Sequence, residues 1–172
     1  QGDREGIEKL LLFLYRNQIS FINIIDNVIH PALVRIGLLW EDGNLEIDQE
    51  HRVSETVKEI LIRLGSILYH KHSNNLSVVC TAAEGEHHDI GIYSIAYALE
   101  VEGWQLTNLG SNTPFDSLKQ YIKKYKPDLV CISATAPAIK KSEFVNGIKT
   151  VAASVHAYGG KISCEQIVKN YL

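Results

Sequence analysis

The stretch Glu84-Gly85-Glu86-His87-His88-Asp89-Ile90-Gly91 places two imidazoles among three carboxylates, with glycines at Gly85 and Gly91. These residue types support metal chemistry: a carboxylate that takes the N–H of one ring nitrogen fixes the tautomer and makes the other nitrogen a better ligand. Histidine and glutamate also bind zinc, but a structural zinc site takes about four ligands. No second Cys or His cluster stands at usable spacing, and Cys80, Cys131 and Cys164 lie far apart. The same stretch also reads as an ordinary loop, with Asp89 capping the following helix and Gly91 allowing close packing. A second place of interest is Trp40, then nine residues, then Glu50-His51, with Ser54 one turn on. Taken alone, Trp40 at the end of an apolar helix face reads as core, and Glu50-His51 as favourable charge at a helix start.

The elements that must position these residues fall into two halves. From Ile7 to about Tyr69 the apolar residues recur at helical spacing: Leu10, Leu11, Leu14; Phe21, Ile24, Ile25, Val28; Leu33, Ile36, Leu39; Val53, Val57, Ile60, Leu61, Leu64. The pattern predicts four helices, the third starting at Pro31 and the fourth near Asp48, with Asp42-Gly43-Asn44 between them. His70 to Asn75 is polar and aperiodic, a linker, so residues 1–73 and 74–172 are expected to form two domains. The second half alternates short apolar runs with amphipathic stretches. Strands are predicted at 76–82, 104–109 and 128–133, and helices at 90–102, 115–125 and 142–153. Such alternation implies a parallel sheet covered on both faces, with ligands bound beyond the carboxyl ends of its strands at a switch in strand order. The Glu84–Gly91 stretch follows the first strand. The expected fold is therefore an α/β Rossmann-like (flavodoxin-like) domain preceded by an all-α four-helix bundle.

Glu86-x-His88-x-x-Gly91 resembles the lower-ligand motif of cobalamin-binding domains of the methionine synthase and methylmalonyl-CoA mutase type. The resemblance implies that His88 coordinates cobalt from below, that Glu86 orients its ring, and that Asp89 and Gly91 border the corrin. Aspartate is common where Glu86 stands, and His87 mismatches the spacing. Two further strand ends match in order. Leu109-Gly110-Ser-Asn-Thr-Pro114 is similar to the family's LG-x-x-x-P turn, and Ser133-Ala-Thr135 to the element lining the slot for the displaced benzimidazole tail. Gly159 and Gly160 are candidates for the glycine pair beside that tail. Tyr158-Gly159-Gly160 also reads as the turn before a fourth strand starting at Lys161. In that case the tail-contacting glycines are missing, because only 12 residues follow Gly160 (172 − 160). This is too few to complete such a domain, whether by deletion or truncation.

The helical half matches the size and order of the cap that covers the corrin in methionine-synthase-type modules. Trp40-x9-Glu50-His51 is similar to the cap of B12-dependent photoreceptor repressors of the CarH/LitR type, MerR-like regulators of light-induced genes. That resemblance implies adenosylcobalamin held between the halves, with Trp40, Glu50 and His51 around the adenosyl group. It further implies a dark homo-oligomer that binds DNA through an N-terminal domain absent from this chain and falls apart when light breaks the Co–C bond. No turnover is expected. The chain departs from some members at Glu41, where they carry a histidine that captures cobalt after the adenosyl group leaves. Here His51 or water remains for that role.

Composition bounds these readings. With 172 residues, 45% of them hydrophobic, the chain can bury a sizeable core, and a net charge of −3 gives no general attraction to nucleic acid or an anionic membrane. Gln1 and the absence of Met suggest a fragment of a longer chain. No uninterrupted apolar run approaches the ~18 residues of a membrane span. Two cysteines sit in apolar runs, as in a reducing cytoplasm. His30, His70, His72 and His156 read as surface or linker residues, and Trp104 as packing. Two rivals stay open: a corrinoid carrier of methyl transfer, and a degenerate domain that has lost cobalamin and serves dimerisation.

Overall fold

The computed structural model describes residues 3–135 and 140–166, with the side chains of 165 and 166 left aside. The chain forms two compact units, Gln1–Leu68 and Tyr69–Leu172.

The first unit is helical: α1 (Arg4–Arg16), α2 (Phe21–Ile24), α3 (His30–Glu41) and α4 (Ile47–Ile67). Local chemistry starts these helices. Asp3 Oδ1 accepts the Gly6 N–H (2.8 Å), and Ser20 Oγ accepts that of Asn23 (3.2 Å). At the start of α4 the Glu46 N–H donates to Gln49 Oε1 (3.0 Å). Leu11, Phe21, Ile24, Ile60, Leu61 and Leu64, at the predicted spacing, are buried, and so is Ile29, which the predicted pattern did not include. One expectation changes: no loop precedes Pro31. A π-helical turn, Ile25–Ile29, joins α2 to α3, and the His30 N–H reaches back to Ile25 O. A proline inside a helix has no N–H and presses on the carbonyl four residues back, and a wider turn just ahead of it relieves that clash. The joined segment Phe21–Glu41 is 21 residues long and, by length and composition only, apolar enough to cross a membrane. The sequence reading missed this because Asp26 and Arg35 interrupt the apolar run without making the helix polar overall.

The second unit contains β1 (Ser77–Ala82), α5 (Ile90–Val101), β2 (Gln105–Asn108), α6 (Phe115–Tyr125), β3 (Leu129–Ala134), α7 (Lys141–His156) and β4 (Lys161–Gln166). The strands are parallel in the order β2-β1-β3-β4. Successive strand side chains point to opposite faces. Val79, Val130 and Ile132 pack with Leu118 and Ile122 of α6 and Val151 and Val155 of α7. Val78, Cys80, Ala82 and Cys131 pack with Ile92 and Ala96 of α5. Trp104, just before β2, packs against this second cluster. Cys80 and Cys131 are buried neighbours on paired strands and, like Cys164, are thiols. The Cys80 thiol is pushed well up, first by its hydrogen bond with Cys131 and then by burial, so it is no nucleophile.

The stretch expected as a linker is tied to this second unit: Lys71 N–H donates to Val101 O (2.9 Å) and Asn74 N–H to Gly103 O (3.0 Å). Gly103 has φ +91°, and a Cβ there would lie 2.4 Å from His72 O. From β1 the chain moves out to β2 and then back across to β3, so the switch in strand order lies between the carboxyl ends of β1 and β3.

Candidate functional site

The loop from β1 to α5 carries Glu86 and His88 to that switch point. Glu86 is fully buried, whereas the His88 side chain is 73% exposed. Glu86 Oε1 accepts the backbone N–H of His88 (2.8 Å) and lies 2.8 Å from His88 Nδ1. Glu86 Oε2 accepts the N–H of Thr135 (2.5 Å), just past the end of β3. A carboxylate whose two oxygens both accept backbone N–H groups acts as an acceptor toward the imidazole as well. That puts the ring proton on Nδ1 and leaves the Nε2 lone pair for a metal. The buried carboxylate thus links the ends of β1 and β3 and fixes the histidine ring. His87 beside it is exposed.

The other residues expected at this edge divide by environment. Asp89 is the N-cap residue of α5 and nearly buried, but its side chain makes no capping hydrogen bond, so the ordinary cap reading does not account for it. Gly91, in the first turn of α5, is exposed, and a Cβ built there meets nothing within 4 Å. A helical glycine costs about 1 kcal/mol relative to alanine, and no protein packing requires this one. The open surface above it suits a close-lying ligand. Gly110 has a conformational reason of its own, φ +79°, with its N–H on Asn108 Oδ1 (2.9 Å). Leu109 donates its N–H to Cys80 O (2.9 Å) and packs against the core. Ser133 is buried at the carboxyl end of β3, and its Oγ has no hydrogen-bond partner among the described residues. A buried hydroxyl without a partner costs stability and marks a place where a polar ligand atom fits.

Gly159 and Gly160 do not join this group. Lys161, the next residue, starts β4, pairs with Leu129 and donates its N–H to Asp128 O (2.9 Å), while Tyr158 Oη donates to Pro127 O (2.8 Å). The glycine pair is therefore the α7–β4 turn at the amino edge of the sheet. A six-residue strand spans about 20 Å, which separates the pair from Ser133, Thr135 and His88.

In the helical unit, Trp40 lies in the last turn of α3 and is 42% exposed, so it is not core. Glu50 lies in the first turn of α4, where its Oε1 accepts the Ser54 hydroxyl (2.6 Å). His51 is exposed, with Nε2 3.7 Å from Glu50 Oε2. His30, His70, His72 and His156 are exposed. Among the described residues no group of three or more His, Cys, Asp or Glu could hold a metal ion by itself.

Sequence reasoning missed two side chains. Asn112, in the β2–α6 loop, accepts the Gly85 N–H on Oδ1 (2.9 Å), and its own N–H donates to Glu86 O (2.8 Å). Glu84 Oε2 accepts the N–H of Phe115, the first residue of α6 (3.0 Å). The one available signal was an asparagine in a turn, a residue that tolerates the left-handed region.

A parallel sheet with a histidine held at its switch point, preceded by a helical unit, is the arrangement that the resemblance to Rossmann-like cobalamin-binding proteins with an N-terminal helical cap led us to expect. Residues 76–160 match the B12 binding domain family, and residues 1–64 match a second B12 binding domain family. The chain belongs to the B12-binding domain proteins. It is 32% identical over 114 residues to the HTH-type transcriptional repressor CarH of Myxococcus xanthus, covering 64% of this chain and 36% of that protein. It is 25% identical over 138 residues to the repressor CarA of the same organism, covering 78% of this chain and 46% of that one. The chain thus spans less than half the length of either curated relative. In fold it resembles the Methanosarcina barkeri monomethylamine corrinoid protein, with a TM-score of 0.69 at 18% identity over 96% of this chain and 79% of that one.

The residues present fit a corrinoid: His88 would offer it a single nitrogen, Gly91 leaves the surface beside that ring bare, and the Ser133 hydroxyl, without a partner among the described residues, would be available to a polar group of the cofactor.

Proposed function

We propose that this chain is the adenosylcobalamin-binding, light-responsive part of a MerR-type transcriptional regulator. The observation that carries the proposal is the buried Glu86 holding an exposed His88 at the switch point. The relationship to two repressors supports regulation over catalysis. When bound, the cofactor supplies a photolabile Co–C bond. His88 would hold cobalt, Glu86 would keep the ring tautomer and orientation, and Ser133 and Thr135 would contact the cofactor's polar tail. Trp40, Glu50 and His51 act on the adenosyl group. Regulation follows if the adenosyl form stabilises a homo-oligomer that binds DNA through a further N-terminal domain, and the photoproduct stabilises it less. This role is cytoplasmic and involves neither turnover nor a membrane.

The test is the visible spectrum and the sedimentation of the chain with adenosylcobalamin, dark and illuminated. The proposal expects binding, a light-dependent spectral change with release of an adenosine product, and dissociation of a dark oligomer. A second reading, a corrinoid carrier of methyl transfer, is favoured by the fold neighbour. It expects a dark-stable preference for methylcobalamin and no light-driven dissociation. Absence of corrin binding contradicts both and leaves a dimerisation module.

A further inference from the structure

Gly85 and Glu86 are gripped from outside their own loop. Asn112 has φ +51°, in the left-handed region that asparagine tolerates. From there its Oδ1 accepts the Gly85 N–H while its backbone N–H donates to Glu86 O. The N–H of one residue and the C=O of the next are thus held by a single residue 26 positions beyond Glu86 (112 − 86). A change in the backbone of Gly85 or Glu86 therefore acts against at least one bond to Asn112. On the other side of Gly85, Glu84 accepts the Phe115 N–H at the start of α6, where Pro114 as N-cap residue provides no side-chain acceptor and a carboxylate suits the helix dipole. Gly85 itself has φ +77°, in the left-handed region that glycine adopts without strain, and a residue with no Cβ restrains its loop least, so the restraint falls to the bonds on either side.

We infer that Asn112 and Glu84 are positioning residues for the lower axial ligand: by clasping the loop on both sides of Gly85, they aim Glu86 into its buried seat and so set the strength of the His88 bond to cobalt. The inference rests on the reading that His88 is that ligand. It makes the β2–α6 turn part of the ligand's support rather than only a border of the cofactor. A distorted Glu86 would still fold but would hold the imidazole less well, because second-sphere groups act through the geometry of the ligand.

The test uses the full chain loaded with cobalamin. Asn112→Gly keeps the positive φ and the backbone N–H and removes only the side-chain acceptor, whereas Asn112→Asp keeps the acceptor. Glu84→Ala and Glu84→Gln make the same contrast on the other side. The readouts are the fraction of cobalamin in the histidine-on form by visible absorption at fixed pH, the Kd, and, in the cofactor-free protein, amide exchange at Gly85. Asn112→Gly and Glu84→Ala are each expected to weaken histidine ligation about fivefold, the effect of one lost hydrogen bond. Asn112→Asp and Glu84→Gln are expected to restore it. Gly85 exchange quickens in Asn112→Gly while the β1 amides do not change. If Asn112→Gly and Glu84→Ala melt at lower temperature but keep the wild-type histidine-on fraction and Kd, the clasp is merely structural and the inference is overturned. If wild type and His88→Ala give the same spectrum, the ligand reading falls and the inference falls with it. The two failures are distinguishable because only the second removes the wild-type signal.

Discussion

Glu86–His88 and Glu50–His51 pair the same two residue types, yet only the first joins a histidine to a buried carboxylate by a short hydrogen bond. At Glu86–His88 the carboxylate is fully buried and lies 2.8 Å from Nδ1. At Glu50–His51 the side chains are 25% and 70% exposed, the nearest approach is 3.7 Å, and the carboxylate binds Ser54 instead. Backbone geometry makes the difference. Adjacent residues on a helix do not face each other, so a Glu-His dipeptide in the first turn of α4 cannot close a short hydrogen bond. A loop leaving a parallel strand folds residue 88 back over residue 86, and the neighbouring strand end supplies the N–H that holds the second carboxylate oxygen. A prepared ligand needs that third element. A lone Glu–His pair suits contacts completed by the ligand itself.

The contrast is broken most severely by His88→Ala, which is expected to abolish the histidine-on spectrum while leaving the fold intact, since the ring is largely exposed. Glu86→Ala comes next. It leaves the Thr135 and His88 N–H groups without their acceptor, and is expected to cost about 1–3 kcal/mol of stability in chemical denaturation and about 10- to 100-fold in cobalamin affinity by titration. His51→Ala is expected to change stability by less than about 0.5 kcal/mol and to leave the histidine-on fraction unaltered. Any effect it has is confined to dark retention of the adenosyl form, followed by the rate of spectral bleaching.

The smallest effect lies at the opposite edge of the sheet. Asp128 accepts both the N–H and the hydroxyl of Ser77 (2.8 Å each), and these bonds hold its carboxyl below the ordinary range. A depressed folded-state pKa contributes stability above the unfolded value, and that contribution is lost as pH falls through the folded value. The melting temperature of Asp128→Asn is therefore expected to lie slightly below wild type at neutral pH. The gap should close in acid, below the usual carboxylate pKa of about 3.9.

The sequence made the α/β unit legible almost element by element, because a strand buried on both faces and an amphipathic helix leave unlike periodicities. The Glu86–His88 contact was legible because the two residues stand two positions apart in one loop. Gly159 and Gly160 were not, since a glycine pair looks alike at either end of a strand and only the pairing of Lys161 with Leu129 decides which end it occupies. Nor was the continuous α2–α3 helix, because Pro31 marks a helix start equally well when a π turn has already made room for it. Asn112 escaped notice for a third reason. Its partner Gly85 is 27 residues away, and the two meet only because β1 and β2 lie side by side.

The most direct test of the central claim, that His88 is the cobalt ligand, is electron paramagnetic resonance of the protein loaded with cobalamin and reduced to Co(II), with natural and with nitrogen-15 histidine. A histidine ligand predicts that the nitrogen splitting turns from a triplet to a doublet on labelling, and that His88→Ala loses this response. A triplet that persists with labelled histidine would contradict the account, because the axial nitrogen would then belong to the cofactor's own base.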